Sequence, residues 1–313
     1  MWSPDERRFI FVTGKGGVGK TTVSAAMARA LAARGKKVLI AMCNAKERIS
    51  AMFGSDLVGP EILPVGPRVW AVNIEPERAF EEYGQMTLKV PGLYKVVFQN
   101  KIVRSFLPAV PGLSEWAMLG KAWFHTTETD ERGRPRFDVV ILDAPATGHG
   151  LDMLRVPKVI LDVTPPGILR RDAELAWKLF TDKRATGVVV VTLPQELPST
   201  EALELIGAIQ GELALPLGAL VVNGVLDKLF SEEESAALAK LHRREGAQAI
   251  ALPESGAVHA SLRAAAARAL QERVQQESLL RLAAGTSLDR IELPFLFEDA
   301  ARPLAIERLA QRF

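Results

Sequence analysis

A chain of 313 residues, 48% hydrophobic and 24% charged, has enough apolar material for a large core. Its net charge of +2 is a poor match to a dedicated nucleic-acid binder, whose domain carries a concentrated cationic face. The one cysteine, Cys43, excludes internal disulfides and any zinc or iron–sulfur centre built from this chain's cysteines alone. The N-terminal "MWSPDERRF" lacks the apolar core of a secretion signal, and no apolar run approaches the ~18 residues that span a bilayer. A soluble cytoplasmic protein is the expectation.

In chain order, Phe9 to Val12 reads as a buried strand. A glycine-rich loop follows, then a helix in which Val23, Met27, Ala30 and Leu31 recur at helical spacing, with Gly35 at its C-terminus. "KKVLIAM" (Lys36 to Met42) is the second strand and "RVWAVNI" (Arg68 to Ile74) the third. A helical region covers about 76–130, carrying Phe80, Tyr83, Trp116 and Trp123. "RFDVVILDAP" has no polar alternation, so both its faces are covered; "TGVVVVTLP" and "LGALVVNG" repeat the signature. Val258 to Leu282 forms one long helix or a broken pair, before "DRIELPFLF" and a final helix. Strands alternating with helices predict a doubly wound, mostly parallel α/β sheet with helices on both faces, in a single domain over 1–313.

"GKGGVGKT", Gly14 to Thr21, fits the phosphate-loop pattern G-x-x-x-x-G-K-[ST] in its required place between strand and helix. Gly14, Gly16, Gly17 and Gly19, with Val18 between them, let successive N–H groups point inward around phosphate oxygens, and the helix N-terminus at Lys20 to Thr22 adds its dipole. Lys20 is expected on the β- and γ-phosphates of ATP and the Thr21 hydroxyl on Mg²⁺. Lys15 is a second lysine in the same loop. Near the loop's start it cannot easily fold back onto the phosphates its own loop encloses, but it can project toward the nucleotide of a second subunit. A cation supplied in trans is worth about 10³–10⁵ in rate. The alternative is a solvated surface lysine.

The "KGGxGK" pattern resembles the deviant Walker-A ATPases, which include cell-division and plasmid-partition ATPases, the nitrogenase iron protein and the arsenical-pump family. In that class the extra lysine acts across a nucleotide-sandwich dimer, so the resemblance implies a dimer. "FDVVILDAPATGHGLDML" looks like the arsenical-pump and tail-anchored-protein-targeting ATPases. That resemblance makes Asp143 the ligand of a Mg²⁺-bound water and puts Pro145, Thr147, Gly148 and His149 in a switch. A helix-capping role for Asp143, and a packing role for His149, are the alternatives. By the same resemblance Asn223, at the end of "LVVNGV", reads the adenine edge, and Pro294 and Phe295 pack on the base. An ordinary turn asparagine and a core phenylalanine would explain those residues as well.

The chain departs from the family in three places. After the second strand, where the family carries a water-orienting aspartate, stand Cys43 and Asn44, with Glu47 one helical turn along. Slow hydrolysis, or hydrolysis completed by a partner, is therefore expected. The cysteines that the arsenical pump uses for its metalloid and the Cys-x-x-Cys zinc pair of the targeting factors are missing, so neither an arsenite nor a zinc site is expected. Finally, fewer than 40 residues separate His149 from Val188, too few for a large cargo groove; the apolar helices between Phe80 and Phe124 supply either a smaller groove or core. The expected partner is a second copy or a related ATPase subunit, with a protein or membrane-associated cargo and no nucleic acid. A rival is a membrane- or DNA-positioning ATPase, supported by Ile306, Leu309 and Phe313 sharing one face of the last helix beside Arg308 and Arg312. A nucleotide-gated binding module with vestigial hydrolysis is another.

Overall fold

The computed structural model describes residues 2–87, 112–145, 149–247, 256–297 and 300–313. One eight-stranded sheet runs through them: β1 (Phe9–Thr13), β2 (Val38–Cys43), β3 (Leu63–Gly66), β4 (Val69–Ile74), β5 (Val139–Asp143), β6 (Thr186–Thr192), β7 (Leu217–Val225) and β8 (Asp289–Pro294). Their order in space is β3-β4-β2-β5-β1-β6-β7-β8. Every pairing is parallel except β3 with β4. The antiparallel β3 was not expected. "LPVG" is too short to show a period of two, and its pairing with β4 fixes it.

All five residues of β1 and of β5 are buried. The reason is two cores, one on each face. Phe9, Phe11, Val140, Leu142, Val188 and Val190 point to one; Ile10, Val12, Ile141, Val189 and Val191 point to the other. Alternate side chains feed opposite layers, so a strand covered on both sides reads as unbroken apolar sequence.

On the second face lies α1 (Lys20–Ala33), which buries Val23, Ala26, Met27 and Leu31. It ends at Gly35, whose φ of +86° is the left-handed turn a helix C-terminus favours. Beside it are α2 (Ile49–Phe53) and, near the chain end, Pro303–Ala310. The first face carries α3 (Pro76–Thr87), α4 (Leu113–Thr127), α5 (His149–Val163), α6 (Ile168–Thr181) and α7 (Glu196–Ala208), which runs on into a π-helical turn at Ile209–Leu213. The helical region expected over about 76–130 is thus α3 and α4, its middle lying outside the described residues. α8 (Glu232–Ala247) and α9 (Ala257–Gly285) pack together, α9 also lies against α7 and adds Leu282 to the first core, and α9 is one unbroken helix of 29 residues. The terminal helix is α10 (Pro303–Ala310). Its Ile306 and Leu309, the face that favoured a membrane contact, are buried against α1. In this conformation that face is not available to lipid.

Between α3, α4 and α6 lies a cavity of about 710 Å³ walled by Phe80, Tyr83, Trp116, Trp123 and Phe124. Trp116 also belongs to the core, whereas Phe124 is partly exposed, so the aromatic stripe read from the sequence is in part core and in part cavity wall.

Candidate functional site

The sheet reverses its winding at β1, which has β5 on one side and β6 on the other. The chain leaves β1 for β2 in one direction and later reaches β6 and β7 in the other. The crevice beyond the carboxyl ends of such strands is where α/β sheets bind ligands. Here it collects the loop after β1, Asp143 at the end of β5, Thr192 at the end of β6 and Asn223 near the end of β7.

The loop is shaped by close approaches that only glycine permits. Gly14 has φ +144°, and a Cβ there would sit 2.2 Å from the Val191 carbonyl oxygen of β6. Gly17 and Gly19 also have positive φ, at +83° and +92°. Gly16 and Gly17 are exposed at the tip, whereas Val18 plugs the loop into the core beneath α1. Lys20, Thr21 and Thr22 open α1, so the N–H groups that a helix leaves unpaired at its start lie at the end of the loop.

The two lysines diverge. Lys20 is buried and folded over the loop, with Nζ donating to the Gly14 and Lys15 carbonyl oxygens, both at 3.0 Å. Burial lowers its pKa and the nearby Asp143 carboxylate opposes that. Lys15 turns outward, half-exposed, with Nζ 2.6 Å from Glu201 Oε1 on α7. An exposed pair of this kind is worth about 0–1 kcal/mol, weak enough to be exchanged for a better anion.

Asp143 is fully buried. Its Oδ2 accepts from Thr21 Oγ1 at 2.6 Å and its Oδ1 from Ser24 Oγ at 3.3 Å. Burial pushes its pKa up to about 6 against the pull of the two hydroxyls and Lys20. A buried carboxylate and a hydroxyl side by side, both hard oxygen donors, fit a small divalent cation such as Mg²⁺, which would favour the charged form again. Among the described residues no cluster of three or more His, Cys, Asp or Glu is placed to hold a metal.

After β2 the chain carries no carboxylate into the crevice. Cys43 is buried and its thiol is pushed far up, by desolvation first and by Asp143 second, so it is inert. Asn44 is exposed, with φ +44°. Its neighbour Ala45 is clamped by Asn73, whose amide donates to Ala45 O at 2.9 Å and accepts from Ala45 N at 3.1 Å. Glu47 is engaged elsewhere, accepting from the Ser50 amide and hydroxyl at 2.7 and 2.6 Å at the start of α2.

On the β7 side, Asn223 Nδ2 donates to Val18 O at 2.9 Å, a contact with the loop that the sequence did not suggest. Phe295 is exposed at the end of β8 after the partly buried Pro294, and its ring meets that of Phe297 edge-on at 5.0 Å. The Arg268 guanidinium lies 5.6 Å from the Phe297 ring centre. The exposed Phe295 ring lies next to Gly224, the residue after Asn223. Thr147 and Gly148 lie outside the described residues; Pro145 is half-buried next to Asp143, and His149 opens α5. There Gly150 lets the helix approach β1, since a Cβ would come 2.7 Å from Thr13 Oγ1. The sequence reading missed Ser24, Glu201 and Asn73. Ser24 lies one turn after Thr21 and was within reach of helical spacing; Glu201 and Asn73 had no local signal.

The family model for anion-transporting ATPases matches residues 7–164, about half of the chain. ATPase BagA of Mycobacterium tuberculosis is 32% identical over 221 residues, covering 69% of this chain and 64% of that protein. An arsenical pump-driving ATPase of Escherichia coli is 28% identical over 260 residues, 77% of this chain and 43% of its own. ATPase GET3B of Arabidopsis thaliana is 25% identical over 282 residues, 74% and 67% of the two chains. The chain thus spans less than two thirds of the mycobacterial relative and under half of the pump subunit. Taken with the loop after β1 and the winding of the sheet, the match shows that this chain belongs to the anion-transporting ATPase family of phosphate-loop α/β proteins.

Proposed function

We propose that this chain is a magnesium-dependent, ATP-binding switch that hydrolyses ATP to ADP and phosphate slowly, as one domain of a dimer in which each subunit completes the other's site. The observation that carries this reading is the opposite aim of two lysines on one loop: Lys20 inward over Gly14, Lys15 outward to Glu201. A single loop has no need of a second, outward lysine for its own phosphates. A neighbouring subunit does, where a cation on the γ-phosphate stabilises charge in the transition state.

In this account the N–H groups of residues 14–22 bind and orient the triphosphate, and Lys20 holds its β- and γ-oxygens. Thr21 and, through water, Asp143 would hold Mg²⁺, which when bound neutralises charge on the phosphate oxygens. Phe295 and Pro294 carry the base, beside Asn223. Asn44 can hydrogen-bond an attacking water but cannot accept its proton, which supports slow turnover. The same deficit supports a second reading, a nucleotide-gated binding module whose hydrolysis is vestigial. The partner is a second copy or a related subunit. The family description names anion transport and one relative's name an arsenical pump, and the aromatic cavity between α3, α4 and α6 offers a surface for a cargo. The reading places the chain in the cytoplasm; among the described residues no helix is long and apolar enough to cross a membrane.

Light scattering with ADP and with a non-hydrolysable ATP analogue, together with turnover per protomer at increasing protein concentration, tests the reading. A doubling of mass with the analogue and a rate that climbs with concentration are expected. A monomer hydrolysing at a concentration-independent rate would refute the shared site. Turnover that stays at background under every condition, with dimerisation intact, would leave the module.

A further inference from the structure

Where β7 ends, Asn223 and Gly224 touch both halves of the site. Asn223 Nδ2 donates to Val18 O at 2.9 Å, and a Cβ on Gly19 would lie only 2.3 Å from that same nitrogen. The amide is thus seated directly on the loop, where only glycine at position 19 admits it. One residue on, Gly224 has φ +74°, and a Cβ there would stand 3.6 Å from the Phe295 ring. Phe295 in turn donates its N–H to Val225 O at 2.7 Å.

A loop that turns its N–H groups inward to an anion must turn carbonyls outward. Each outward carbonyl that is shielded from water needs a donor, or the loop relaxes to find one. Val18 is buried, and the Asn223 amide supplies that donor from a different strand. Resting on the reading of residues 14–22 as the phosphate site, we propose that Asn223 is a positioning residue for the phosphate loop, holding it in its anion-binding shape independently of any contact with a base. Its effect on nucleotide affinity then passes through the phosphates, and the base surface at Phe295 is tied to the loop by the same two-residue step.

The test uses a ligand without a base. Mg–ATP and Mg–tripolyphosphate are titrated calorimetrically into the full wild-type chain and N223A. Both affinities should fall by the same factor, about tenfold, the scale of one lost hydrogen bond and a slackened loop. A loss confined to ATP would make Asn223 a reader of the base and overturn the strut, as would no loss of either ligand. A wild-type chain that binds neither would overturn the phosphate-site reading along with it. Should N223A fail to fold, N223D keeps the side-chain shape but has no donor for Val18 O. Measured without any anion present, its hydrogen exchange should quicken across residues 14–22 while the strands stay protected. Unchanged exchange in the loop would refute the proposal.

Discussion

Thr21 Oγ1 donates to Asp143 Oδ2 at 2.6 Å, although 122 positions separate the two residues. One stands at the start of α1 and the other at the end of β5, brought together because β5 pairs with β1 in parallel register, Val12 beside Asp143. Replacing Asp143 by Asn keeps the shape and removes the charge a cation needs. We expect D143N to lose turnover by about a hundredfold, the scale of a removed electrostatic group, with nucleotide affinity measured in EDTA little changed. Titration of Mg²⁺ against ATPase rate checks this; a wild-type magnesium dependence in D143N would be incompatible with the assignment.

The two loop lysines should separate kinetically. K15A should bind ATP within about threefold of wild type and lose turnover by about a thousandfold, because its cation acts only on the transition state. K20A should lose affinity itself. Mixing K15A with D143N protein should restore part of the rate, since each then supplies what the other lacks at one of two sites. No complementation in mixed samples would argue that Lys15 works within its own chain.

In the proposed function Asn44 is one of two residues, with Cys43, at the position where a carboxylate would complete hydrolysis. With φ +44° it occupies a backbone region that Asp tolerates nearly as well as Asn. N44D should therefore fold normally and raise single-turnover hydrolysis at least about tenfold, toward the contribution expected of a general base. If quenched single-turnover assays show no gain, water activation lies elsewhere.

Stability should depend on His125. It is buried in α4, neither ring nitrogen has a hydrogen-bond partner, and Nδ1 lies 3.4 Å from Glu128 Oε2. Desolvation outweighs the attraction of Glu128, with Lys121 and Arg136 adding to it, so the pKa falls below the ordinary 6.5. The folded state keeps the imidazole neutral while the unfolded chain takes up a proton. Its contribution is complete above the unfolded value and is lost as pH falls through the folded one. Urea unfolding at about pH 7.5 and 5.5 should show a larger loss for wild type than for H125F, because position 125 titrates only in the wild type, whereas the Asp143 carboxyl is common to both proteins. Equal losses would contradict the sign.

Much of this was readable in advance, for reasons tied to particular residues. The runs at β1, β5 and β6 announced their burial because both faces are covered, and Gly14 to Thr21 announced its tight turn because the close approaches at Gly14 and Gly19 tolerate no side chain. By contrast β3, with four residues including Pro64 and Gly66, is a strand only because β4 offers it an edge. The destination of the last helix was equally illegible. Its apolar face is the same pattern whether it meets lipid or α1, and packing on α1 decided it.

Sequence by itself determined the local matters: where the buried strands run, where the loop lies, that it carries two lysines, and that no acidic residue directly follows β2. These are set by side-chain periodicity and by backbone freedom over a few residues. Tertiary structure decided the pairings across long separations: Lys15 with Glu201, Asn223 with Val18, Asn73 with Ala45, and Glu47 bound to α2 rather than turned to the crevice. Those partners are chosen by the order of strands in the sheet, and no short-range pattern encodes which distant residue a strand end will meet.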